Sequence, residues 1–376
     1  MTYSVYQHWD LLKVCIVGRS YPPEFYSWIK IPHVRSLFEK IAIETEEDYQ
    51  ALIRKLELFG VEILRPDLPT DTLVNGKYLR PPMTPRDYTI MVGNQFYESF
   101  SSNFMKSSYE FIKDTSWPDC NNWKEFNNLP SRIQSECVKI FNFGKEQLFC
   151  SEYNNIFNHI KAQGNIVHSC SVPVNGANCA RLGKDLFFGT ENYTMDQQII
   201  LKYFNNAFPN YRNHIVNTGG HSDGTYCPVC PGLIISLYDV PTYADTYPGW
   251  EVVYLPGQSW AKVKPFLKLK EKNKGKWWIP GFENDQAVVD VVETWLGHWT
   301  GYVEETVFDV NMLIIDPKNV IVNNFNKQVF DALDRYGITP HIVPFRHRYF
   351  WDGGIHCITS DLHREGTMQN YFPNRD

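Results

Sequence analysis

The sequence predicts an α/β fold built from a repeated unit, and three recurrences carry that expectation. Residues 46–59 set Tyr49, Leu52, Ile53, Leu56 and Leu58 at helical spacing; Gly60 stops the helix, and Val61-Glu62-Ile63-Leu64 alternates as a strand into Pro66. Residues 325–336 repeat this design, with Gly337 and then His341-Ile342-Val343-Pro344. A looser copy covers 195–208, followed by Pro209 and His214-Ile215-Val216. Short apolar strands are expected at 14–17, 88–92, 233–237, 250–255 and 312–315. Strands that alternate with helices define α/β architecture. The recurrence points to one βαβ-type unit used repeatedly rather than to two unrelated domains.

Composition bounds the function. The chain has 376 residues, 43% hydrophobic and 21% charged, which is globular and long enough for a substantial core. Aromatic residues reach 15%, so ring-lined contacts or a walled cavity are expected. A net charge of −6 argues against a dedicated nucleic-acid binder. No apolar run approaches the roughly 20 residues that span a bilayer. The start, MTYSVYQHWD, lacks the basic and apolar stretches of a signal peptide, and nine cysteines read as reduced thiols. A cytoplasmic protein, with neither nucleic-acid nor membrane partners, is therefore expected.

Two segments break the rhythm. Residues near 100–165 are polar and aromatic and predict a helical insertion. A second insertion is expected near 258–285, within a single domain of residues 1–376. Residues 262–276 hold seven lysines and are followed by Trp277-Trp278. They read either as a phosphate-binding strip with stacking rings or as a solvated loop, and the acidic total favours the loop.

Four motifs could carry chemistry, each beside a plainer reading. Cys227-Pro228-Val229-Cys230 is a CxxC, but no second ligand pair completes a zinc site, so packing thiols are the simpler account. In Gly219-Gly220-His221-Ser222-Asp223-Gly224, the His-x-Asp spacing on an extended segment turns both side chains to one face. A histidine beside a carboxylate can act as acid or base, or the stretch is a polar turn. Asp87, in Pro85-Arg86-Asp87 before a strand, could bind a cation or pair with Arg86. Asn175-Gly176-Ala177-Asn178 is a small-residue loop that approaches a ligand or nothing at all. Finally, Cys357 follows Gly353-Gly354 in DGGIHCITSD. Cysteine, histidine and carboxylates at strand ends suit nucleophilic attack on a cationic carbon centre.

These residues carry a resemblance. The tail from Gly353-Gly354-Ile355-His356-Cys357 to Gly366-Thr367-Met368-Gln369 resembles the nucleophile motif of the amidinotransferases. Those are the glycine and inosamine-phosphate amidinotransferase branch of the pentein superfamily. His8-Trp9-Asp10 through Gly18-Arg19 is similar to the family's opening strand. Pro85-Arg86-Asp87 with Val92-Gly93-Asn94 matches its PRD…VGN segment, Arg181-Leu182-Gly183-Lys184-Asp185 its RxGRD strand, and His221-Ser222-Asp223 its HxD. The matches run in family order from residue 8 to 369. The resemblance implies a pentein fold, an α/β propeller of five ββαβ-like units around a pseudo-fivefold axis. It also implies that Cys357 attacks the guanidinium carbon of a donor, typically arginine, to give an amidino-cysteine. His221 would then move protons between the leaving and the incoming amine, with no metal or cofactor. Asp87 and Asp223 would bind the guanidinium nitrogens. Asn178 and Thr218 would sit on the substrate side. Dimeric relatives raise the expectation of a homodimer.

Three departures shape the expectation. Asn175 stands where the family has an aspartate that orients the histidine, and losing such a carboxylate can cost about 10⁴-fold. The arginine expected to hold the donor's carboxylate falls near Val240. A hydroxyl pair appears as Glu304-Glu305, which favours an amine over a carboxylate. Gly219-Gly220 shrinks the loop before His221 and leaves room for a bulkier ligand. An amidinotransferase is the first reading. A guanidine-modifying hydrolase using the same cysteine, or a guanidine-binding protein weakened at Asn175, are the alternatives.

Overall fold

Five three-stranded sheets repeat one plan in the computed structural model, which describes residues 2–70, 72–74, 76–98, 116–118, 128–133, 153–169, 175–190, 197–218, 221–237, 240, 243–255, 279, 281–282, 284–296, 299 and 307–375. Strand β1 (Leu11–Val17) leads through helix α1 (Pro32–Leu58) to the parallel β2 (Glu62–Leu64), and a short hairpin of β3 (Leu73–Val74) and β4 (Lys77–Tyr78) follows. The second unit is β5 (Thr89–Val92), β6 (Gln95–Glu98), α2 (Asn154–Ala162) and β7 (Ile166–Ser169). The third is β8 (Cys179–Leu182), β9 (Asp185–Thr190), α3 (Gln197–Ala207) and β10 (Arg212–Asn217). The fourth is β11 (Tyr226–Cys230), β12 (Leu233–Ser236), α4 (Tyr243–Thr246) and β13 (Glu251–Tyr254). After α5 (Gln286–Trp295) and α6 (Val307–Val310) comes the fifth, β14 (Leu313–Asp316), β15 (Asn319–Val322), α7 (Lys327–Arg335) and β16 (Thr339–Ile342). Helix α8 (Arg348–Trp351) and β17 (Thr359–Glu365) end the chain.

In every unit the first strand is antiparallel to the second, and the third returns parallel to it. The first unit takes its first strand from the far end of the chain, since β17 pairs antiparallel with β1. The two ends of the sequence thus close the ring, which is the five-unit pentein arrangement. First strands β5, β8 and β11 are buried along their whole length, while third strands such as β2 and β16 are largely open. Apolar residues on both faces of the first strands, as in Thr89-Ile90-Met91-Val92, suit a position at the centre.

The helix–glycine–strand rhythm has a physical cause. After α1, Gly60 adopts φ +74, its N–H donates to Glu57 O, and Val61 N donates to Leu56 O. Gly337 at φ +68 repeats the same pair of bonds after α7, to Asp334 and Leu333. This paired 6→1 and 5→2 closure satisfies the last helical carbonyls and turns the chain back towards its sheet. Helix α1 begins at Pro32, well before the expected 46, because Val34, Phe38, Ile41 and Ala42 extend the same buried face. Each such side chain contributes about 1.5–3 kcal/mol on full burial.

Cys227 and Cys230 are buried free thiols on β11, pushed up to about 12 and about 11 by burial, as packing residues would be. The lysine run and Trp277-Trp278 lie outside the described residues, as does most of the expected insertion near 100–165. No helix of the described residues is long and apolar enough to cross a membrane.

Candidate active site

The fivefold repeat brings five equivalent positions together, each leading into the first strand of a unit. Asp87 ends the 3-10 turn Pro85–Asp87 before β5, and Asn175 and Asn178 precede β8. Asp223 lies in the turn Ser222–Gly224 before β11, Asn311 precedes β14, and Cys357 precedes β17.

Cys357 is buried, and two of the other positions, Asp223 and Asn311, meet at its thiol. Sγ donates to Asp223 Oδ2 at 3.4 Å and accepts from Asn311 Nδ2 at 3.1 Å. The Asn311 Oδ1 accepts from the backbone N–H of His356 at 2.9 Å and of Cys357 at 3.1 Å. A side chain at Gly354 would put its Cβ 2.6 Å from Asn311 Oδ1, so this glycine is where the backbone must pass close. Burial, then Asp223 and Asp87, hold the thiol well above its ordinary pKa. In the free site Cys357 is therefore a thiol at neutral pH.

Asp223 is buried, and burial lifts its carboxyl to about 6; His221 opposes the rise and Asp87 adds to it. Its Oδ2 also meets His356 Nδ1 at 2.8 Å. Burial keeps His356 well below its usual pKa, so the neutral ring donates Nδ1–H to the carboxylate. His221 Nδ1 stands 3.6 Å from Asp87 Oδ1, and its side chain is 41% exposed. One buried oxygen on each acid, Asp87 Oδ1 and Asp223 Oδ1, has no hydrogen-bond partner. An unsatisfied buried acceptor costs about 1–3 kcal/mol, more when charged, so both oxygens favour a cationic donor.

The other expected residues are placed differently. Asn175 Oδ1 accepts from Asn178 N at 2.9 Å, so its amide fixes the turn, and the carboxylate beside the His221 ring is that of Asp87. Asn178 is half-buried, and its carbonyl accepts from Ser222 Oγ and Gly189 N. Thr218 is buried and its carbonyl accepts from Thr225 Oγ1 at 3.0 Å. Glu304 and Glu305 lie outside the described residues.

Behind the nucleophile a buried hub locks the units together. Asp361, on β17, accepts from Arg86 at 2.9 Å, from Arg181 at 2.7 and 2.9 Å, and from Arg364 at 2.7 Å. The three guanidiniums hold its carboxyl well below the ordinary range against the cost of burial. The same arginines bond main-chain carbonyls of Met91, Ile314, His356 and Thr359, which ties β5 and β14 to the lead-in of β17.

Sequence reasoning passed over Asn311 and gave His356 no role. The signal for Asn311 was positional: it leads into the fifth unit as Asp87, Asp223 and Cys357 lead into theirs.

A ring of five ββαβ units is the pentein fold, and here a cysteine, a histidine and two acids stand at its strand lead-ins. Solved structures share the fold: the amidinotransferase SxtG of saxitoxin biosynthesis from Microseira wollei (TM-score 0.60, 18% identity, 99% of this chain and 100% of that one). A second is inosamine-phosphate amidinotransferase from Streptomyces griseus (TM-score 0.60, 17% identity, 98% and 99%). No family model matches the chain. Sequence relatives nevertheless run its full length. Mitochondrial glycine amidinotransferase of Gallus gallus is 24% identical over 404 residues, covering 98% of this chain and 84% of that protein. The L-arginine:L-lysine amidinotransferase of Pseudomonas savastanoi pv. phaseolicola is 22% identical over 405 residues, covering 98% and 96%. Over 98% of its length the chain is thus similar to amidinotransferases, which are transferases.

Proposed function

We propose that the protein transfers an amidino group from a guanidino donor, L-arginine by first choice, to an amine through a covalent intermediate on Cys357. The observation that carries this reading is a pair of buried oxygens without a hydrogen bond, Asp87 Oδ1 (3.6 Å from His221 Nδ1) and Asp223 Oδ1, on the two acids that bear electrostatically on the thiol. A guanidinium satisfies both acids with charge-assisted bonds and presents its carbon to Sγ. Its positive charge also offsets the two acids that keep the thiol protonated.

The cycle then balances on one histidine. His221 takes the thiol proton, Sγ forms a bond to the guanidinium carbon, and the carbon–nitrogen bond to the donor breaks. The departing amine takes the proton from His221. The acceptor amine gives His221 a proton as it attacks the amidino carbon, and the carbon–sulfur bond breaks with return of that proton to the thiol. Asp87, 3.6 Å from the ring, steadies the imidazolium that forms twice per cycle, the task expected of a carboxylate at position 175. The name of the Pseudomonas relative supports arginine as donor, and Glu304-Glu305 supports an acceptor with a basic amine.

The test is incubation with isotopically labelled arginine, followed by intact-protein mass spectrometry, with and without candidate amines. A labelled amidino adduct that maps to Cys357 and is discharged by an amine supports the reading. Absence of any adduct or guanidino product across donors overturns it. Discharge by water alone, with urea or ammonia released, assigns the same cysteine to a hydrolase.

A further inference from the structure

We infer that Asn311 is a catalytic residue, whose side-chain N–H faces the Cys357 sulfur to stabilise its thiolate while the other end of the amide locks the nucleophile turn. The inference rests on Cys357 being the nucleophile, and its argument is one of donors and acceptors. Asn311 is fully buried and makes four hydrogen bonds. Two of its partners are the backbone N–H groups of His356 and Cys357, which only donate, so the amide atom between them must be the oxygen. The amide is thereby fixed against a flip. The nitrogen must then point the other way, towards the Asp223 carbonyl at 3.1 Å and Cys357 Sγ at 3.1 Å. One N–H serves each, so a proton donor and never a lone pair faces the sulfur.

The surroundings of Sγ give this donor its weight. Asp223 and Asp87 both oppose a negative sulfur, and burial opposes it further. His356 is tied to Asp223 Oδ2, and His221 stands beside Asp87. A backbone hydrogen bond at Gly354 and the Asn311 side chain work in the opposite sense. Gly354 itself is held against the Asn311 oxygen, where a Cβ would collide at 2.6 Å. The double-glycine turn therefore lets the amide reach the nucleophile.

Three variants separate a thiolate donor from a mere turn clamp: Asn311→Asp, Asn311→Ala and Gly354→Ala. The readout is the rate at which neutral iodoacetamide alkylates Cys357 at one mildly alkaline pH, followed on the Cys357 peptide by mass spectrometry. This measurement needs no amidino donor, so it fails or succeeds independently of the proposed activity. Asn311→Asp keeps an oxygen for the two backbone N–H groups but turns an acceptor towards sulfur. Loss of a hydrogen bond to a charged group predicts a fall of roughly ten- to a hundredfold. The expected order of rates is native, then Ala, then Asp. The charge added in Asn311→Asp slows alkylation by itself, so Asn311→Ala, which removes the donor and adds no charge, decides: a native rate in that variant overturns the inference. Should Asn311→Ala not fold, Gly354→Ala displaces an intact Asn311, and an unchanged alkylation rate in that variant overturns it equally.

Discussion

Replacing Asp223 by asparagine should move three observables in directions that no simple loss of structure would produce. The substitution is nearly isosteric, and an amide oxygen at the Oδ2 position still accepts from His356 and from the thiol. Only the charge leaves. At the 3.4 Å separation of Sγ and Oδ2, two unit charges repel by about 5 kcal/mol at an effective dielectric near 20, an upper bound for this site. Relief of even a third of that lowers the thiol pKa by about one unit, so Cys357 in the free enzyme should alkylate roughly tenfold faster or more. Stability should rise as well. Burial raises the carboxyl to about 6 in the fold against 3.8 as its ordinary value, so the folded protein binds the extra proton between these pH values. Stability from this group is highest in acid, declines as pH climbs through that window, and is lower by about 3 kcal/mol above it. Asparagine removes this penalty, and denaturant unfolding at neutral pH should show a more stable variant with no gain in acid. Amidino transfer should nevertheless fall by about 30- to 5,000-fold in kcat/KM, since truncating a buried charge partner costs about 2–5 kcal/mol. Slower alkylation, or transfer within threefold of native, would refute the electrostatic account of the site.

Further outcomes test the neighbouring roles. His221→Ala should cost about 10²–10⁴-fold in transfer, as loss of an acid–base group does, while stability changes little because the ring is 41% exposed; steady-state rates and unfolding curves check both. Asn175→Asp should fold normally, because a carboxylate can still accept from Asn178 N, and should raise transfer by less than about tenfold, far short of the 10⁴-fold at stake in a triad. Asp361→Asn leaves three buried guanidiniums underpaired and should cost about 3–5 kcal/mol in urea unfolding, with native-like transfer in whatever fraction stays folded.

Much of the fold was legible because its repeat is local. A glycine in the left-handed region after an amphipathic helix is visible in sequence, and Gly60 and Gly337 perform the same closure in units one and five. Strand β17 was not legible as the partner of β1, because that pairing joins Leu11 to Glu365 and no local pattern records a contact across the whole chain. The early start of α1 escaped notice since Val34 and Phe38 continue a face whose periodicity is plain only from residue 46 onwards. Asp87, His221, Asp223 and Cys357 stood out one by one and Asn311 did not, and their convergence on one thiol depends on five units closing into a ring.

At Asn175, residue identity is one half of the argument and position is the other. An aspartate expected at that point suggested that the histidine had lost its helper. In the fold, the His221 ring stands 3.6 Å from Asp87 Oδ1, at the lead-in of β5. The same two acids explain how a buried cysteine can be both inert and poised. Without a ligand, burial first and then Asp223 and Asp87 raise the Cys357 thiol well above its ordinary pKa. On the proposed reading, a guanidinium is the ligand that cancels their charge, whereas a neutral urea satisfies the hydrogen bonds but leaves the field in place. Selectivity for a cationic donor would then arise before any carbon–sulfur bond forms, from the same electrostatics that make Asp223→Asn faster towards iodoacetamide and slower towards its own substrate.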